Sequence, residues 1–279
     1  MKHILIPTDF SENARNAVKY AISFFQDTAA TFYLLHVSLA EDVNEEKYYY
    51  KLSENVGQDK IFYNPIKNLE EELKRAEEMS LNANHRFIAI HEYVDFIESI
   101  RHHVNEKAID YIIMGTKGAS ENNGDMIGTN TGNVITKVKC SILVIPKKAT
   151  YHPLRTVVFP TDFNIFYKNR ILNTITEILK VKNTSLSILY ISKRVKELTS
   201  LQQKNRDFLQ EHLEDKSHEI FFITDESMEK AVDSFVKKNK ADLIAMVAKN
   251  LNFFQRLLFK PTAEKISYHT KIPFLVLHE

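Results

Sequence analysis

"HILIPTDF", residues 3–10, returns 153 residues later as "TVVFPTDF", residues 156–163. Each is a short apolar run closed by Pro-Thr-Asp-Phe, the pattern of a strand running into a turn. The repetition continues along the chain. "YLLHV" (33–37) returns loosely as "SILYI" (187–191), "AIDYIIMG" (108–115) as "KADLIAMV" (240–247), and "SILVIP" (141–146) as "PFLVLH" (273–278). The last two pairs share one offset of 132 residues, so the first copy carries about twenty extra residues in its middle. Repetition at so long a period sets the architecture and is read first. Two tandem copies, 1–149 and 150–279, meet at the short polar "KKATYHPLR" (147–155). They account for 279 residues at about 100–200 residues per domain.

Each copy alternates strand and helix. After "HILI" and Pro7, the spacing of Ala14, Ala17, Val18, Ala21, Ile22 and Phe25 predicts a helix capped by Ser11. "TFYLLHV" and "RFIAIH" read as strands two and three. Ile66, Leu69, Leu73 and Ala76 suggest a helix between them. Asp95 with Glu98 forms a capping-box pattern ahead of a face made by Ile97, Ile100, Val104 and Ala108. "DYIIMG" and "SILVIP" are continuous apolar runs, as in strands covered on both faces, with a short helix marked by Val134, Ile135 and Val138 between them. The second copy repeats the order, with Ile171, Leu172, Ile175, Ile178 and Leu179 on one helix face. The expected fold is α/β: two tandem doubly wound domains, each a five-stranded parallel sheet flanked by helices. "SILVIP" and "PFLVLH" each close a sheet, and pairing them would remove two exposed edges.

Composition narrows the functional classes. Thirty-seven basic residues face 36 acidic ones, so no electrostatic footprint for nucleic acid or an anionic membrane is expected. The single cysteine, Cys140, excludes a disulfide or a multi-cysteine metal cluster within the chain and reads as a buried thiol. "MKHILIPTDF" is too short an apolar start for a signal peptide, and no run reaches the roughly 18 apolar residues of a membrane span. A cytoplasmic location is expected.

Four of the six glycines fall in "GTKGASENNGDMIGTN", residues 115–130. In doubly wound sheets ligands bind beyond the carboxyl ends of the strands, where strand order reverses. A loop that wraps phosphate needs inward backbone N–H groups and close approach. Glycine supplies both, through positive φ and the missing side chain. The helix opening near Thr129 adds free N–H groups and a positive dipole end, and Thr129 adds a hydroxyl. Neither a Walker loop nor the dinucleotide fingerprint is present. "NNG" (122–124) is read as a turn and Lys117 as solvated. His36 reads as a packed neutral histidine. The pair His102–His103, in a helix beside charged residues, reads as a solvated face and not a metal site.

The spacing Gly115-x2-Gly118-x9-Gly128-Thr129 resembles the ATP-binding subgroup of the universal stress protein family, described by G-x2-G-x9-G-[S/T] after the fourth strand. The resemblance extends to "HILIPTDFSENA", "LLHV", "IDYIIMGT" and "KCSILVIP", and covers the first copy outside residues 40–85. The second copy resembles the family in its strands and helices only. The family implies an adenine nucleotide alpha hydrolase-like fold and a role in stress response. It implies ATP as ligand, with or without Mg2+, and a regulatory more than a catalytic role. Carried over by position, the adenine contact falls on the backbone of Val37. Pro7, Thr8 and Asp9 follow the first strand, with Asp9 toward the ribose. The phosphate loop falls on Met114, Gly115, Gly118, Gly128, Thr129 and Asn130. Asp9 keeps a second reading, a structural turn, because Asp162 repeats it in the other copy. The chain lacks the glycine many relatives have near "HEY" (91–93).

In the second copy, Gly115, Gly118, Gly128 and Thr129 map to Val247, Asn250, Lys260 and Pro261. Val247 adds bulk, and Pro261 removes an N–H at the helix start. The replacement "NLNFFQRLLFKP" (250–261) is apolar enough to want a covering surface, within its own domain or on a partner. These features predict one nucleotide per chain, no catalytic residues and no bound metal of the protein's own. Weak ATP hydrolysis and a nucleotide-free scaffold stand as the alternatives. An intramolecular pseudo-dimer of the two copies is expected, with a homodimer and an unnamed protein partner left open. The insertion at 40–64 reads as a lid, a partner surface or a solvated excursion.

Overall fold

The computed structural model describes residues 1–38, 64–116, 127–194, 197–225, 227–248 and 271–278. The readings of the insertion, of Lys117, Gly118 and "NNG", and of Asn250, Lys260 and Pro261 lie outside these residues. The chain divides into two compact units, Met1–Ile113 and Met114–Glu279.

In the first unit the order is β1 (Lys2–Pro7), α1 (Glu12–Phe24), β2 (Ala30–Val37), α2 (Pro65–Met79), β3 (His85–Glu92), α3 (Phe96–Glu106) and β4, which starts at Tyr111 and ends at Gly115. The strands run parallel in the order β3-β2-β1-β4. Strand order therefore reverses between β1 and β4, where Ile4 faces Tyr111 and Leu5 faces Ile112. α1 starts where Ser11 accepts from the Ala14 N–H at 3.2 Å, and all six residues of its expected face are buried.

α2 departs from its expected face. Ile66 is 55% exposed, while Glu72 is buried on the inward side. Its carboxylate accepts from Arg15 at 2.5 Å and Arg75 at 2.9 Å, which makes the burial of a charge tolerable. α3 is capped by Asp95, which accepts from the N–H groups of Ile97 and Glu98. Its buried side comprises Ser99, Ile100 and His103. Ala108 lies past the helix end at φ 47° and does not join that face.

The second unit holds the end of β4, α4 (Thr129–Lys137), β5 (Ser141–Ile145), β6 (Thr156–Thr161), α5 (Asn169–Lys182), β7 (Ser185–Ser192), α6 (Ser200–His212), β8 (His218–Thr224), α7 (Met228–Asn239), β9 (Leu243–Val247) and β10 (Phe274–Leu277). Its strands order β5-β10-β9-β6-β7-β8. β10 runs parallel to β9 and antiparallel to β5, with Phe274 opposite Val144 and Val276 opposite Ile142. The two closing strands of the repeats thus cover each other's edges. The expected face of α5, Ile171 through Leu179, is buried throughout.

The repeats agree down to single hydrogen bonds. Asp110 accepts from the His3 N–H at 2.8 Å, and Asp242, its counterpart, from Arg155 and Thr156 at 2.7 and 3.1 Å. Ala108 and Lys240 take φ 47° and 51° before the same strand. Thr116 N–H donates to Ile145, and Ala248 N–H to Leu277, at the strand's far end.

Candidate nucleotide site

At the end of β1 the chain turns sharply into α1. Thr8 N–H donates to Leu35 O at 2.8 Å, extending the strand by one bond. The Thr8 hydroxyl then accepts from Phe10 N–H at 3.1 Å, and the Asp9 carboxylate from Ser11 N–H at 3.1 Å. These two local bonds hold Phe10 at φ 63°, a conformation that disfavours any side chain. Thr161, Asp162 and Phe163 build the same turn, with bonds of 3.1 and 3.0 Å and φ 56°. Asp9 is therefore a turn-former in fact, and its carboxylate is exposed.

Val37 ends β2, half-buried, beside the turn's strand. His36 is buried and its Nδ1–H donates to Thr8 O at 2.8 Å, so a carbonyl fixes its tautomer. Its ring packs 4.4 Å from that of Phe10. His36 is thus a packed histidine, as its position in the strand suggests. Ser38 then bonds to Glu92 O and to the ring of His91, whose pKa burial lowers.

At the end of β4, three bonds close the glycine loop at its base. Thr116 N–H donates to Ile145 O at 3.0 Å, and Gly128 N–H to Thr116 O at 2.7 Å. The Thr131 hydroxyl donates to Gly115 O at 2.8 Å. Met114 and Thr116 are buried, while Thr129 and Asn130 are exposed. The first intrahelical bond of α4 is Gly132 N–H to Gly128 O, so the N–H groups ahead of it have no helical acceptor.

The expected reason for glycine needs correction here. Gly128 has φ −66° and ψ 156°, and none of the described glycines has positive φ. Those angles suit any residue at a helix start. What glycine contributes at 128 is the absence of a side chain: α4 begins with no side-chain cap. The amide that Ser11 satisfies in α1, that of Ala14, finds no such acceptor on the residue that starts α4.

The second copy is different at both places. Val247 stands where Gly115 does and is buried at the end of β9. At the turn, the Tyr167 hydroxyl lies 2.6 Å from the Thr161 hydroxyl, and Tyr167 is fully buried, which raises its phenol pKa. Gln202 donates to Asp162 O and Asn205 to Phe163 O, both at 2.8 Å from buried positions on α6. α5 begins at Asn169, four residues later than α1 when the copies are aligned. The second turn is therefore packed with its own side chains. Ala14 occupies the first-copy position of Tyr167, a difference visible in sequence once the offset of 153 is applied.

The histidine pair also departs from expectation. His102 is exposed, but His103 is only 4% exposed. Its Nε2 lies 3.0 Å from Glu92 Oε1, and the Ser99 hydroxyl donates to Glu92 Oε2 at 2.6 Å. The helix turns one histidine to water and the next into the interior. Among the described residues no helix is long and apolar enough to cross a membrane.

Comparison with known proteins agrees with this architecture. The universal stress protein family matches the chain twice, over residues 1–146 and 154–278. A universal stress protein of Methanocaldococcus jannaschii is 30% identical over 156 residues, which cover 53% of this chain and 96% of that protein. The crystal structure of a universal stress protein from Archaeoglobus fulgidus aligns with 99% of this chain and 98% of its own, at TM-score 0.64 and 18% identity. A chain from Pseudomonas aeruginosa aligns over 99% of this chain and 93% of its own, at TM-score 0.55 and 11% identity. At those identities the two structures speak for the fold alone. Two family matches along one chain, on two copies of one strand-and-helix order, show that the protein belongs to the universal stress protein family, in tandem form.

Proposed function

We propose that this is an ATP-binding regulatory protein of the stress response, cytoplasmic, with one nucleotide per chain held by the first copy, residues 1–149. The nucleotide contacts are those the family resemblance assigns: Pro7, Thr8, Asp9 and Val37 for the nucleoside, and Met114, Gly115, Gly118, Gly128, Thr129 and Asn130 for the phosphates. The observation that carries the reading is the start of α4, stapled to the end of β4 by Gly128 and Thr131 yet left without a side-chain cap. A helix start of that kind offers backbone donors and a positive dipole end to an anion. The second copy, 150–279, has a packing or interaction role. Val247, and the Tyr167, Gln202 and Asn205 packing around its turn, support that assignment. The β5–β10 pairing supports an intramolecular pseudo-dimer.

Calorimetric titration of the full chain with ATP, AMP and Mg·ATP tests this. One site per chain is expected. Two sites per chain would overturn the silence of the second copy, and no measurable binding of any of the three would overturn the reading itself. Mass spectrometry of small molecules released on denaturation gives an independent check.

A further inference from the structure

We propose that the end of α3 and the residue that closes β3 build a transition-metal site, with His102, His103 and Glu106 as ligands and Zn2+ as the ion. All the groups lie within residues 92–107, at some remove in sequence from the glycine loop. The proposal does not rest on the nucleotide reading.

The three ligand atoms lie within 4.8 Å of one another. His102 Nε2 is 3.2 Å from Glu106 Oε2, and His103 Nδ1 is 3.7 Å from the same oxygen. Two ligands each about 2.0–2.2 Å from one tetrahedral Zn2+ stand about 3.3–3.6 Å apart. The two separations that involve Glu106 bracket that range. Helix geometry explains the convergence, since His102 is one turn and His103 three residues ahead of Glu106.

His103 supplies the independent sign of a ligand. A carboxylate oxygen of Glu92 faces its Nε2, which therefore carries the proton and donates. The ring's lone pair is then on Nδ1. That atom is buried and makes no hydrogen bond. It points instead toward another acceptor, the Glu106 carboxylate, at a distance no hydrogen bond spans. A cation held between the two would satisfy both at once. Glu92, itself held by the Ser99 hydroxyl, does for His103 what carboxylates do behind metal-bound histidines: it fixes the tautomer and strengthens the free nitrogen as a ligand. Lys107 Nζ sits 3.2 Å from Glu106 Oε2 and would give way to the ion.

Two imidazoles and one carboxylate suit Zn2+ far better than Mg2+ or Ca2+, which take oxygen ligands. Three protein ligands leave the fourth position to water.

The test is titration of the full chain with Zn2+, read by calorimetry and by thermal unfolding, with Mg2+ as control. One Zn2+ per chain and a raised Tm are expected, with no matching response to Mg2+. His102→Ala and Glu106→Gln are exposed substitutions that leave packing intact, and each should weaken that site by a hundredfold or more. Glu92→Gln should weaken it about 10–100-fold through the His103 ring. Zinc binding unchanged in both His102→Ala and Glu106→Gln, or no one-to-one binding in the wild type, would overturn the proposal and leave His103 as an ion-paired core histidine.

Discussion

Replacing Gly128 with serine should stabilise the protein and damage its nucleotide site at once. The backbone is ready for it. Gly128 sits at φ −66° and ψ 156°, and Ser11, the cap of α1, at φ −67° and ψ 159°. A serine at 128 meets no strain and should accept from the N–H of residue 131, as Ser11 does from Ala14 at 3.2 Å. Serine improves on glycine at this position by a few tenths of a kcal/mol. For a unit of this size that raises Tm by about 1 °C. The same bond consumes an amide that would otherwise face phosphate. A hydrogen bond to a charged group contributes about 1.5–3 kcal/mol, so ATP affinity should fall about ten- to a hundredfold. Gly128→Ala is the control: it adds a Cβ without a cap acceptor, and separates crowding from capture of the amide. Thermal unfolding without nucleotide and calorimetric titration with ATP read the two effects. If Gly128→Ser gains its stability and binds ATP as tightly as the wild type, the amides of α4 do not hold phosphate.

Thr129→Ala should weaken ATP about two- to a hundredfold without shifting Tm, since it removes one exposed hydroxyl donor; titration against the wild type checks it. Asp242→Ala strips the acceptor from two backbone N–H groups at the start of β6 and should destabilise by about 1–3 kcal/mol in denaturant unfolding. Burial, with Arg170 and Lys139 nearby, holds the His278 imidazole down to about 4 from its ordinary value near 6.5. The unfolded chain takes up that proton first, so the contribution is complete above pH 6.5 and lost as pH falls toward 4, up to about 3 kcal/mol. His278→Gln should flatten that part of the stability profile.

Strand identity was legible because a buried strand needs an apolar run, and each run occurs twice. β4 and β9, Tyr111–Gly115 and Leu243–Val247, lie at the offset of 132 read from the letters alone. Faces of α1 and α5 were legible for the same reason, since apolar residues at helical spacing have nowhere else to go. Polar burial was not. Glu72 and His103 look like surface residues until Arg15, far off in sequence, joins Arg75 on Glu72, and Glu92 meets the Nε2 of His103. Periodicity counts apolar letters and cannot see a partner 57 residues away. Of the two reasons expected for glycine, the missing side chain holds at 128 and positive φ does not, because spacing does not distinguish a residue needed for its backbone angle from one needed for its missing side chain.

The comparison of the two copies separates what the fold requires from what a ligand would require. Asp110 and Asp242, the left-handed Ala108 and Lys240, and the strand-end amides of Thr116 and Ala248 recur at matching ends of the same strands, where they serve the sheet. Thr8-Asp9-Phe10 and Thr161-Asp162-Phe163 recur for the same reason, so the Pro-Thr-Asp-Phe motif is by itself no evidence of nucleotide binding. The copies part in what packs around that turn. Around Asp162 and Phe163 the carbonyls are taken by Gln202 and Asn205, and the threonine hydroxyl by Tyr167. Those groups of the second copy are satisfied by side chains of its own. The first copy places alanine where that tyrosine stands and glycine where a helix cap would stand. Both choices forgo stabilisation available to the chain, since its own second copy and its own first helix show the alternatives folding well. Forgone stabilisation at the start of α4 is what a helix end kept open for an anion would leave behind, and it supports the proposed phosphate contact.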